Sequence, residues 1–329
     1  MNTHRTFWQI ISFSPWLYAL NIFLQLFRSC FLLLPGLIVF NIFNVLTTNQ
    51  PLGWNLWTLG ALLVGAAVAR ITAMLSAVAM DATCMEYGNT LLRRNVFEQL
   101  LTKPGAQALP YSSGELISRF NADTTAITET IMYASQVIGV VAQVLVAAIV
   151  MFTINALITL VAFMPFVGAG VLIHVMSSRI QKYHRESRKT AGEVSSFIGE
   201  IFNTTQAIQL ANAQSRIMEH FHQLNEARRQ TRLKSLFFTD VVLSSIANNT
   251  ASLGTGVILL LAAQAMKSGS FSVGDLALFV SYLGAFTDFT AMFSHNLAMY
   301  KQAGVSLQRL QAALPVGVPH SAVVAHNPV

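Results

Sequence analysis

Four ionisable side chains, Arg28, Arg70, Asp288 and His295, stand in or close to stretches that are otherwise apolar. A charge at membrane depth is costly, so such residues face a water-filled path or a partner. Arg28 and Asp288 are the stronger candidates to face such a path. Arg70 can serve that path or snorkel toward the membrane surface. His295 is a lone histidine, a type that more often forms a structural hydrogen bond than carries protons. All four are candidates to line such a path.

A second group of charges lies in "YSSGELISRFNADTTAITE", residues 111–129. Pro104, Gly105 and Pro110 mark a break before it. Ser112 and Glu115 then have the S-x-x-E spacing of a capping box, which starts a helix by satisfying orphan amides. Glu115, Arg119 and Asp123 recur every four residues, so on a regular helix they share a face and can pair. A solvated helix face would account for these charges locally, since exposed pairs contribute only about 0.3–0.5 kcal/mol each.

Other chemistries find no residues here. The eight His are scattered, and His220 and His222 do not share a helix face. The Met residues are spread along the spans as packing groups. Cys30 and Cys84, the only cysteines, suggest neither a disulfide framework nor a metal site. None of the six lysines follows a glycine, so the Gly-Lys-Ser/Thr turn that holds nucleotide phosphates is absent from this sequence.

The elements that position these charges are apolar helices. Of 329 residues, 53% are hydrophobic and 10% charged, and the mean hydropathy is +0.53. A hydrocarbon layer about 30 Å thick needs roughly 20 apolar residues as helix. Six stretches qualify: 16–46, 54–80, 131–152, 156–176, 237–266 and 276–297. The N-terminal fifteen residues lack the pattern of a removable signal peptide.

The net charge of +6 is unevenly spread. Four basic residues lie in 81–130 and ten in 177–238, whereas the connections 47–53, 153–155 and 267–274 carry one between them. This is the positive-inside pattern; it places the two long segments and both termini in the cytoplasm and makes nucleic acid an unneeded explanation of the charge. Apolar residues recur at helical spacing in both long segments. Span two can continue to Leu101 as a rod of roughly 70 Å, and 177–238 can fold as a hairpin with arms of roughly 40–45 Å. Pro35 and Pro165 are expected to kink their spans, and Asn248 and Asn249 to bond across helices.

"SGELISRFNADTTAI", "GEVSSFIGEIFNTTQAIQLANAQSRIMEHF" and "SGSFSVGDLALFVSYLGAF", in this order and separated by matching spans, resemble the transmembrane domain of ABC exporters over about residues 16–313. The matching positions are Gly114, Glu115, Leu116, Ser118, Arg119, Asn121 and Asp123, then Glu200, then Gly269, Val273, Gly274, Asp275 and Leu276. The resemblance implies an all-α membrane fold of six long helices extended into a cytoplasmic stalk. It also implies a second six-span half and ATP-binding domains that carry the ATP and Mg. Short coupling helices are expected near 121–128 and 210–215, giving Gly114, Glu115, Arg119, Asn121, Asp123, Glu200, Leu210 and Asn212 as coupling residues. "RTFWQIISFSP" resembles the family's in-plane elbow helix, within residues 1–15.

The expectation is therefore the permease half of an ATP-driven exporter, embedded in the cell membrane, without a metal, nucleic acid or an ATPase site of its own. Residues 314–329 have three prolines and no helical period and read as linker or disorder. The motor is expected from a missing C-terminal portion or another chain. A secondary transporter and a non-transport membrane scaffold are the alternatives.

Overall fold

A computed structural model describes residues 3–48, 56–101 and 112–314. The predicted break at Pro104, Gly105 and Pro110 and the predicted tail beyond Leu314 lie outside these residues. The elements are α1 (Thr3–Ser12), α2 (Pro15–Phe31), α3 (Leu34–Thr48), α4 (Leu56–Leu101), α5 (Ser113–Ser118), α6 (Thr124–Ile154), α7 (Ala156–Leu210), α8 (Gln214–Leu236), α9 (Ser244–Lys267) and α10 (Val273–Ala313). π-Helical turns at Arg119–Asp123 and Phe237–Leu243 join α5 to α6 and α8 to α9 without a break. Among the described residues there is no strand. Six helical stretches among the described residues are long and apolar enough to cross a membrane: Pro15–Thr47, Trp57–Leu101, Gly114–Ile154, Ala156–Leu210, Gln214–Lys267 and Val273–Ala312.

Local chemistry sets the boundaries. Pro15 opens α2, where its missing N–H would have had no helical partner anyway. Pro35 does more than kink span one. Its ring is incompatible with the carbonyl four residues earlier, and the helix ends at Phe31 and restarts at Leu34. Tyr282 of α10 donates its hydroxyl to the Leu33 carbonyl beside this break, at 3.2 Å. Pro165, by contrast, stays inside α7 without ending it. The 46 residues of α4 make a rod of about 69 Å, as the absence of breakers predicts.

The chain divides into two compact units, residues 1–159 with 258–329, and residues 160–257. In the first, Ile10, Tyr18, Leu91, Leu92, Ile127 and Leu307 form a buried cluster contributed by α1, α2, α4, α6 and α10. Two glycines let backbones approach closely. A Cβ on Gly139 of α6 would lie 2.7 Å from the Gln25 carbonyl and from Ser29 Oγ of α2. One on Gly274 of α10 would lie 2.5 Å from the Phe40 carbonyl of α3. The start of α10 carries a full capping box: Ser272 Oγ accepts from the Asp275 N–H, and Asp275 accepts from the Ser272 N–H. Large apolar side chains such as Val64 (67% exposed) and Leu75 (65%) point outward along α4, where lipid or protein rather than water suits them.

In the second unit, His184 of α7 is held on both ring nitrogens, by Ser235 Oγ and Thr239 Oγ1, each at 3.0 Å. Tyr183 stacks on Phe238 at 4.7 Å. The expected hairpin is present, but the expected short helix near 210–215 is not. The Asn212 N–H donates to the Gln209 carbonyl and the Ala213 N–H to the Ile208 carbonyl. With Asn212 at φ 50°, this is a Schellman ending of α7, and α8 begins at Gln214. Asn249 bonds within its own helix, to the Ser245 carbonyl at 2.8 Å, and not across helices; the Asn248 side chain lies outside the described residues.

Candidate functional site

Three of the four charges flagged inside the spans meet at one place. Arg28 of α2, Arg70 of α4 and Asp288 of α10 line a single open cavity of about 290 Å³, together with Gln136 and Gln143 of α6. Ser29 and the apolar Leu32, Met74, Val140 and Met292 complete the wall. Arg28 is half-buried, while Arg70 and Asp288 are exposed. No ion pair within 4.0 Å joins any of the three to another described residue. His295 is not part of this wall; its ring lies 4.8 Å from that of Tyr133, edge to face.

Behind the cavity is a polar network built on Asp81 of α4. Its Oδ1 accepts from Asn21 Nδ2 at 2.6 Å, and its Oδ2 accepts from Gln25 Nε2 at 2.8 Å and Gln136 Nε2 at 2.9 Å. Gln25 Oε1 in turn accepts from Arg28 Nε at 3.0 Å. Both carboxylate oxygens of Asp81 thus act as acceptors. Sequence reading missed Asp81, Asn21, Gln25 and Gln136. The available signal was the spacing of Asn21, Gln25 and Arg28, one residue per turn on one face of an otherwise apolar helix.

The polar segment at 111–129 is arranged differently from expectation. Ser112 Oγ accepts from the Glu115 N–H at 3.3 Å, so half of the capping box forms. The other half does not, because the Glu115 carboxylate bonds Arg119 Nη2 at 2.7 Å. Arg119 does not pair with Asp123. The π-turn between them adds a residue to the helical repeat and rotates Asp123 off the shared face. Arg119 instead donates to the Arg309 carbonyl of α10 at 2.7 Å, and the Arg309 guanidinium lies 3.9 Å from the Asp123 carboxylate. Far from a solvated face, Arg119 is 13% exposed and Asp123 8%. The two residues latch the start of α6 to the end of α10.

The stretch expected to be a separate helix near 121–128 is instead part of the continuous α5–α6 rod. Thr124, Ile127 and Thr128 are buried, and Thr128 donates to Asn89 Oδ1 of α4 at 2.9 Å. Gly114 and Asn121 remain exposed. Asn121 borders an apolar hollow of about 350 Å³ formed by Phe97, Leu100, Leu116, Ile117 and Phe120. In the second unit, Glu200 is exposed, Leu210 is 89% exposed, and Asn212 occupies the turn that ends α7.

Six stretches of membrane length and apolarity among the described residues mark an integral, multi-pass membrane protein. The chain belongs to the ABC transporter transmembrane region family, whose model matches residues 18–290. It is 25% identical over 198 residues to an ATP-dependent lipid A-core flippase of Nitrosococcus oceani, a match covering 58% of this chain and 32% of that protein. Similar relatives are the ATP-dependent lipid A-core flippases of Bordetella pertussis, 23% identical over 60% of this chain and 32% of theirs, and of Pseudoalteromonas translucida, 24% identical over 61% and 36%. The matched part thus spans about a third of the length of these relatives.

Proposed function

We propose that this chain is the membrane-spanning permease half of an ATP-driven exporter. It forms a translocation path with a second half and is driven by ATP-binding domains that supply the ATP and Mg site. The observation that carries this reading is the convergence of Arg28, Arg70 and Asp288 from three different spans on one cavity, in a chain of this family. In this reading both termini are cytoplasmic, in line with the distribution of Lys and Arg, and the membrane is the cell membrane.

The coupling surface divides by role. Gly114, Asn121, Glu200, Leu210 and Asn212 offer exposed or turn positions for an ATP-binding domain in the same chain or another. Arg119 and Asp123 act from within, through the latch on α10, and the half-exposed Glu115 pairs with Arg119 beside it. The test is flux in proteoliposomes carrying the chain completed by its ATP-binding domain. ATP-dependent flux is expected. Flux driven by an ion gradient without ATP would point to a secondary transporter, and no flux under either condition to a scaffold.

A further inference from the structure

The Asp81 network determines which chemical groups the cavity presents. Gln25 and Gln136 each donate from Nε2 to the Asp81 carboxylate. A carboxamide that donates in this way keeps its oxygen as an acceptor for another donor. Gln25 uses that oxygen to hold Arg28 by Nε, which fixes the guanidinium on its stem side and leaves its Nη donors for the cavity. Asp81 is therefore a positioning residue for Arg28, acting through Gln25.

The charges on the wall itself are two guanidinium groups, Arg28 and Arg70, and one carboxylate, Asp288, with no ion pair to any of them among the described residues. A purely anionic ligand drawn to the arginines meets Asp288, and a purely cationic one drawn to Asp288 meets two arginines. Like charges brought together select against the wrong partner. Leu32, Met74 and Met292 supply apolar wall beside the charges.

We propose that this cavity binds the headgroup of a zwitterionic amphiphile, a ligand joining a phosphodiester-type anion to a primary ammonium. The anion is held by Arg28 and Arg70 and the ammonium by Asp288, while the apolar wall takes the adjoining hydrocarbon. The proposal rests on reading the cavity as part of the translocation path, but it concerns binding and needs neither ATP nor a motor.

The experiment is native mass spectrometry of the purified chain in detergent, titrated with phosphatidylethanolamine and phosphatidylglycerol of identical acyl chains. The wild-type protein is expected to retain phosphatidylethanolamine roughly tenfold better than phosphatidylglycerol, the effect of one mismatched charge in a site of this kind. Asp288→Asn should remove that preference by weakening phosphatidylethanolamine alone. Arg28→Ala should weaken both lipids, and Asp81→Asn should follow Arg28→Ala in the same direction although Asp81 does not line the wall. Phosphatidylglycerol held as tightly as phosphatidylethanolamine by the wild type would overturn the proposal, as would an unchanged ratio in Asp288→Asn. If Asp81→Asn fails to fold, the wild-type ratio and the exposed Asp288→Asn variant still decide. A chain that binds selectively yet supports no flux with its motor would overturn the transport reading and leave this one standing.

Discussion

Replacing Arg119 by alanine should release the end of α10. Arg119 is largely buried and donates to the Arg309 carbonyl at 2.7 Å, a charge-assisted bond of a kind that contributes about 1.5–3 kcal/mol. Its pair with the half-exposed Glu115 adds roughly 0.2–1 kcal/mol, but that pair lies within one rod and does not hold α10. The last turns of α10 should therefore lose about 2 kcal/mol of local stability. At 1.4 kcal/mol per factor of ten, that corresponds to roughly a 30-fold increase in local opening. Hydrogen exchange measured by mass spectrometry on peptides covering 305–313, with peptides from 273–298 as an internal control, reads this directly. Arg119→Lys, which keeps the charge but loses the planar fork, should give an intermediate acceleration. Arg309→Ala should give a smaller one, because its contact with Asp123 is 3.9 Å long and its side chain is 61% exposed. Equal protection of 305–313 in the wild type and Arg119→Ala would refute the latch.

Three further outcomes are expected. In a transporter assembled with its ATP-binding domain, Arg119→Ala combined with Asp123→Ala should insert normally but lower transport per ATP hydrolysed; an unchanged ratio of flux to ATPase counts against the coupling role. Gly139→Ala should destabilise by about 1–3 kcal/mol, because its Cβ would sit 2.7 Å from the Gln25 carbonyl; an unaltered melting temperature in detergent would contradict that approach. A maleimide should label Cys30, which is partly exposed, far faster than Cys84, which is fully buried, as intact-mass kinetics on single-cysteine variants would show.

The helices were legible because twenty-residue apolar runs and missing breakers leave few choices; Pro35 signalled a kink, and the structure shows a full break there. Arg28, Arg70 and Asp288 were legible for a related reason, since a charge in an apolar span stands out. Asp81 escaped notice because it sits just past the apolar run and reads as the start of a loop. Asn21, Gln25 and Gln136 escaped because neutral amides barely disturb hydropathy. The burial of Asp123 could not be read from an i, i+4 count. Such a count assumes an unbroken α-helix, and the π-turn at Arg119–Asp123 has no signature in residue type. Asn212 likewise gave no warning that the chain would close α7 with a left-handed residue instead of forming a further helix.

One consequence follows from α10 being unbroken from Val273 to Ala313. Asp288 and Arg309 are residues of the same stiff rod, about 32 Å apart at ~1.5 Å rise per residue. A rod of that length is a lever whose pivot lies at the latch. A tilt of about 10° there would sweep the Asp288 carboxylate through roughly 5–6 Å, calculated from the same helical rise. That arc is comparable to the width of a small headgroup, so a change too slight to unwind a single turn at one end can admit or evict a charge at the other.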